Sequence, residues 1–118
     1  MKIITWNINS RTNEETLKGQ SDFLKSGDFD LITLQEVTLN SEGFFKESFK
    51  DMYILSSFDL VSDKSILVKN RKYGQLIISK KPIKLILDPC TEIPFPERVL
   101  SGFIETFGLE IHTTHVPP

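Results

Sequence analysis

The sequence is most informative first through what it lacks. It has one cysteine, Cys90, which rules out an internal disulfide and fits a reducing compartment. No apolar run approaches the ~20 residues that a membrane-spanning helix needs, and the first residues read as a strand rather than a signal peptide, so a cytoplasmic location is expected. There is no excess of positive charge. A formal net charge of −2 argues against a surface dominated by non-specific attraction to nucleic acid or membrane, although a local basic patch remains compatible with it. No glycine-rich phosphate loop, paired CxxC or Ser-His-Asp order occurs, which leaves nucleotide kinases, zinc modules and acyl hydrolases without support. Repeats, linkers and low-complexity tracts are also missing. At 118 residues, 39% hydrophobic and 25% charged, the chain has the material for one domain rather than two.

What is present alternates between strand and helix signals. Lys2 to Ile8 is a short, mostly apolar strand of the kind covered on both faces in an α/β sheet. Thr12-Asn13-Glu14-Glu15 has the spacing of a capping box, and the helix it opens ends at Ser26-Gly27. The stretch "DFDLITLQEV" carries a second apolar run from Leu31 that ends in Gln35 and Glu36. Strand, helix and strand in that order make a βαβ unit with parallel strands. Beyond Thr38, "NSEGFFKESFKDM" reads as a short helix and "YILSSFDLV" as a strand. A polar, basic loop from Asp59 to Lys72 is expected to enclose an edge strand at Ser65 to Val68. "YGQLIISKKPIKLIL" predicts a hairpin turning at Lys80-Lys81-Pro82. "DPCTEIPFPER", with three prolines, predicts an irregular loop, and two strands about a turn near Gly108 close the chain.

The candidate chemistry lies where strands end. In parallel strands both C-terminal ends share one rim, so Asn7 and Glu36 converge there. Glu36 offers an oxygen ligand suited to Mg²⁺ or Mn²⁺, while Asn7 and Asn9 offer amide donors and acceptors to a phosphate or a water. Each has a plainer reading: a solvated strand-end glutamate, and asparagines capping a turn. His115 could polarise a phosphoryl oxygen or exchange a proton. His112, three residues earlier, faces the other side of its strand and reads as surface or packing. Arg98 could grip a phosphate or anchor the proline-rich loop. Lys80, Lys81 and Lys84 form a positive turn.

Taken in order, "IITWNINS", "DLITLQEV", "YGQLIISKKPI", "ERVLSGFIE" and "IHTTHVPP" resemble the endonuclease/exonuclease/phosphatase superfamily, which holds exonuclease III-like enzymes, deoxyribonucleases and phosphoinositide phosphatases. The resemblance implies an α/β fold, the N-terminal part of a four-layer α/β-β/α sandwich with two mainly antiparallel mixed sheets. It implies a Mg²⁺- or Mn²⁺-dependent hydrolase of phosphate esters, nucleic acid among the candidate substrates. Glu36 would hold the metal, Asn7 would help position the metal site and the attacked phosphate, and His115 would contact that phosphate. Asn9 falls where some members carry an aspartate. Whole catalytic domains of the family continue through a "GDxN"-type motif, an Asp and a final His, none of which occurs here. Residues 1–118 therefore read as one partial domain lacking its C-terminal half. Such a piece is expected to be inactive alone and to need the missing half or a partner chain; ending at Pro118 it is expected to self-associate, aggregate or fold only partly, and as part of a longer polypeptide to bury Leu34, Ile77, Phe103 and Ile111 incompletely. The alternative function is a non-catalytic binding module that retains half of the fold.

Overall fold

The computed structural model describes residues 1–60, 73–86 and 99–115. The expected strand at 65–68, the proline-rich loop and Arg98 lie outside the described residues. Two sheets result, and each is assembled by the pattern of its apolar residues.

Strand β1 (Ile3–Asn7) runs parallel to β2 (Leu31–Val37), joined by helix α1 (Glu14–Ser26) as the βαβ pattern requires. The α1 cap is displaced by one residue from the expected box. Asn13, not Thr12, is the N-cap, and its Oδ1 accepts a hydrogen bond from the Thr16 amide at 3.1 Å. Asparagine ranks above threonine at the N-cap, its carboxamide oxygen accepting from the first-turn amides. The capping box occurs instead on helix α2 (Leu39–Ser48), where Thr38 and Ser41 satisfy each other's backbone amides.

After α2 the strand β3 (Tyr53–Ser56) is short, and the expected continuation folds as a 3-10 turn over Ser57–Leu60. Phe58 is fully buried by that turn, and Gly74 leaves the space its ring fills: a Cβ there would lie 2.7 Å from the ring. Strand β4 (Gly74–Ser79) runs antiparallel between β2 and β3, giving the order β1-β2-β4-β3. All six of its residues are buried because it has strands on both edges and cover on both faces.

The expected hairpin after β4 does not form. Strand β5 (Lys84–Leu85) belongs to the other sheet, with β6 (Val99–Ile104) and β7 (Leu109–Thr114) in the antiparallel order β5-β6-β7. The turn at Lys80 to Ile83 thus carries the chain from one sheet to the next. Local turn chemistry is compatible with either path; the strand partners decide, since β2 and β3 already occupy both edges of β4. The turn near Gly108 is as expected, with Gly108 at φ 59°, the left-handed region that glycine enters without a Cβ clash.

Alternation along β2 sorts its side chains into two cores. Ile32 and Leu34 face α1 and α2, packing with Leu17, Leu24, Phe45 and Ile78. Leu31 faces the second sheet and packs with Ile77, Leu100 and Ile104. Helices, first sheet and second sheet therefore stack as layers of an α/β sandwich. Leu34 and Ile77 are completely buried, contrary to expectation, because β2 and β4 are the central strands. Phe103 is 37% exposed and Ile111 only partly covered, both on the second sheet. No helix among the described residues is long and apolar enough to cross a membrane.

Candidate active-site rim

At the C-terminal end of β2 the ladder to β4 slips. Leu34 pairs with Leu76 and Val37 with Gly74, so three steps on β2 match two on β4. The extra residue makes a β-bulge, which bends a strand and re-aims a side chain. Glu36 lies in it with φ 55°, a left-handed conformation that costs a non-glycine residue about 1–2 kcal/mol. A solvated strand-end glutamate has no need of that strain. The backbone of the turn after β1 holds the bulge, since the Ile8 amide donates to the Gln35 carbonyl and the Ser10 amide to the Glu36 carbonyl, both at 3.1 Å.

Asn7 closes β1 beside Gln35 and partly serves the turn reading. Its Oδ1 accepts from the Asn9 amide at 2.9 Å, an Asx-type turn. Asn9 and Ser10 then follow in left-handed conformations, at φ 59° and 55°. With its oxygen so engaged, Asn7 keeps its NH₂ as a donor, and no partner for that NH₂ occurs among the described residues. Asn9 is exposed at the same turn.

The second sheet brings in the histidine. His115 directly follows β7, and its Nε2 lies 3.7 Å from Glu36 Oε1, with both side chains about one-fifth exposed. Asn7 and His115 share an open cleft of about 520 Å³ between the sheets, with Thr5, Gln35 and Thr113 among its walls. The structure thus brings Asn7, Glu36 and His115 to one rim. His112 also borders that cleft, but its ring nitrogens are engaged within the second sheet: Nδ1 is 2.7 Å from Ser101 Oγ on β6, and Nε2 is 3.4 Å from Glu110 Oε1. Lys80 is drawn to the opposite end of the sheet, where its Nζ sits 2.6 Å from Asp28 Oδ1.

One carboxylate, carboxamides and an imidazole form an oxygen-rich donor set suited to a hard cation that keeps water and phosphate oxygens as its other ligands. No group of three or more His, Cys, Asp or Glu side chains gathers among the described residues. Among the described residues Glu36 is therefore the one carboxylate brought to His115.

Sequence reasoning missed the polar layer behind the rim. Gln35, Thr5, Thr33 and Thr113 interact there, and Gln75 joins them from β4. The available signal was the placement of Thr33 and Gln35 on the alternate positions of an otherwise apolar strand.

The Endonuclease/Exonuclease/phosphatase family pattern matches residues 4–117. Solved structures share the fold. The chain superposes on an AP endonuclease from Archaeoglobus fulgidus with a TM-score of 0.71 and 21% identity, covering 99% of this chain and 41% of that one. It superposes on D. rerio TDP2 humanized by 14 mutations with a TM-score of 0.67 and 17% identity, covering 100% and 48%. For D. rerio TDP2 complexed with a single-strand DNA product the values are 0.59 and 16%, covering 95% and 43%. The chain spans less than half the length of these three structures. No curated protein sequence matches it.

Proposed function

This chain belongs to the endonuclease/exonuclease/phosphatase family, and from that premise we propose that it forms one wall of the active site of a metal-dependent hydrolase of phosphate esters. The observation that carries this reading is the bulged, left-handed Glu36 held 3.7 Å from His115 on the other sheet. Strain at a carboxylate, with a histidine brought to it from a separate sheet, is characteristic of a site shaped for binding.

Each rim residue has a role that its geometry allows. Glu36 would hold Mg²⁺, or Mn²⁺ in its place, with water and phosphate oxygens completing the coordination. Such an ion, when bound, acts as a Lewis acid and template for in-line attack by water on phosphorus. The NH₂ of Asn7, which has no partner among the described residues, is a donor for a non-bridging phosphate oxygen, and its engaged Oδ1 fixes the direction of that donor. His115 can donate from Nε2 to a second phosphate oxygen, where charge develops in the transition state. Asn9 borders the same turn and would bind substrate there; Arg98 would do so from outside the described residues.

A group to activate the water is what this wall lacks, and the second half of the domain would supply it. Nucleic acid is a fitting substrate class, in keeping with the DNA held by one structure of similar fold. The test is hydrolysis by the polypeptide of residues 1–118. Neither DNA nor small phosphate esters should be cleaved above a metal-only blank. Robust Mg²⁺-dependent turnover that vanishes in Glu36→Gln would show that this half suffices and overturn the one-wall account. A binding module that keeps only this half is the second reading, favoured by the single carboxylate that the described residues bring to the rim.

A further inference from the structure

Behind the rim the two sheets meet through polar side chains. Gln35 Nε2 lies 3.1 Å from Thr113 Oγ1 on the second sheet, 3.0 Å from Thr5 Oγ1 and 3.3 Å from Thr33 Oγ1. Thr113 Oγ1 is also 2.7 Å from Gln75 Oε1, and Gln75 is fully buried. Chemistry fixes the directions. An amide nitrogen can only donate, and its two protons serve the two nearer hydroxyls, Thr5 and Thr113, rather than Thr33, so Thr113 accepts from Gln35 and gives its own proton to Gln75. One hydroxyl of the second sheet is thereby held between two strands of the first.

Deeper between the sheets the contact is apolar, through Leu31, Ile77, Leu100 and Ile104. Apolar faces resist separation but tolerate small lateral slips, because dispersion and burial have little directionality. Hydrogen bonds weaken steeply with distance and angle, and a buried one left unmade is costly. The Thr113 junction therefore fixes lateral position where the apolar core does not. Its place in the sequence gives that position a use, since Gln35 immediately precedes Glu36 and Thr113 stands two residues before His115.

We propose that Gln35, Thr113 and Gln75 form an inter-sheet clasp that sets His115 against Glu36, which makes Gln35 and Thr113 positioning residues for the phosphate-binding wall. The use of that spacing rests on the hydrolase reading above; the clasp itself does not.

The test reads geometry in solution without metal or substrate. In nuclear magnetic resonance spectra of the unaltered chain, the Gln35 side-chain NH₂ should show slowed exchange and cross-relaxation to the Thr113 methyl, and the His115 ring should show cross-relaxation to the Glu36 side chain. Thr113→Val keeps the shape and removes the hydroxyl. It should abolish the His115–Glu36 signal while leaving the shifts of Leu31, Ile77 and Leu100 in place, and Thr113→Ser should restore it. Gln35→Met breaks the same bond from the other side and should have the same effect if Thr113→Val does not fold. Retention of the His115–Glu36 signal in a folded variant would reduce the bonds to ordinary stabilisation and overturn the proposal, as would a rapidly exchanging Gln35 amide in the unaltered chain. The hydrolase reading fails separately, through loss of metal binding at Glu36.

Discussion

His115 Nε2 stands 3.7 Å from Glu36 Oε1 across the gap between two sheets that share no backbone hydrogen-bond ladder among the described residues. Two independent features of the fold meet in that distance. The β2 bulge turns Glu36 toward the rim, and the end of β7 delivers His115 to it. Neither residue is placed by the other's strand, which is why the polar junction behind them matters.

The strain at Glu36 has a measurable signature. At φ 55° a glycine pays no Cβ penalty, whereas alanine keeps it. Both substitutions remove the carboxylate equally. Glu36→Gly should therefore be more stable than Glu36→Ala by about 1 kcal/mol in urea unfolding, in line with the cost of a left-handed non-glycine residue. Equal stabilities, or a more stable alanine variant, would show that the backbone there is relaxed.

At the far end of the sheet the pH dependence follows from Asp28 and Lys80. The hydrogen bond from Lys80, then its charge, hold the Asp28 carboxyl below its ordinary value, with a smaller contribution from Lys2. The hydrogen bond to Asp28 likewise raises Lys80. Because the folded pKa of Asp28 is depressed, its contribution is present above the ordinary aspartate value of about 3.9 and is lost as pH falls through the folded value. The contribution from Lys80 is present below its ordinary value and lost as pH rises through the raised one. Both groups are exposed, so the effect on stability is small. Carbon-detected titration should find Asp28 low in the unaltered chain and near its ordinary value in Lys80→Met; no difference between the two would contradict the pairing.

One flank of the first sheet is open. Among the described residues β1 pairs only with β2, Ile3 and Phe23 are more than half exposed, and Ile4, Trp6 and Phe23 line a shallow groove of about 510 Å³ beside the strand. An open edge beside apolar surface invites association. The polypeptide of residues 1–118 should sediment as concentration-dependent oligomers, and Ile3→Lys with Phe23→Lys should shift it toward monomer. A strictly monomeric unaltered chain would show that this flank needs no cover.

The sequence made some of these relationships legible and hid others for physical reasons. The βαβ unit was readable because periodicity and chain direction together force β1 and β2 parallel, and so place Asn7 beside the end of β2. The fate of "YGQLIISKKPIKLIL" was not. Lys80-Lys81-Pro82 would serve a hairpin or a crossover equally well, and the choice lies with β3, a strand whose pairing with β4 is not encoded locally. The cap at Asn13 and the box at Thr38 differ from the expected one by competition among neighbouring polar residues, which spacing alone does not resolve. His115 came to the site through the family resemblance, since no local rule joins the end of β7 to a bulge on β2. Gln35 and Thr113 were passed over because a glutamine and a threonine on strands look ordinary until the opposing sheet is in place.

Metal binding at the rim tests the central claim most directly. Mn²⁺ titrated into the 118-residue chain should selectively broaden the resonances of Asn7, Glu36 and His115, and Glu36→Gln should abolish that broadening while the dispersion of the β4 and β6 signals persists. Broadening centred elsewhere, or undiminished in Glu36→Gln, would contradict the account of this rim as one wall of a metal-dependent phosphate-ester site.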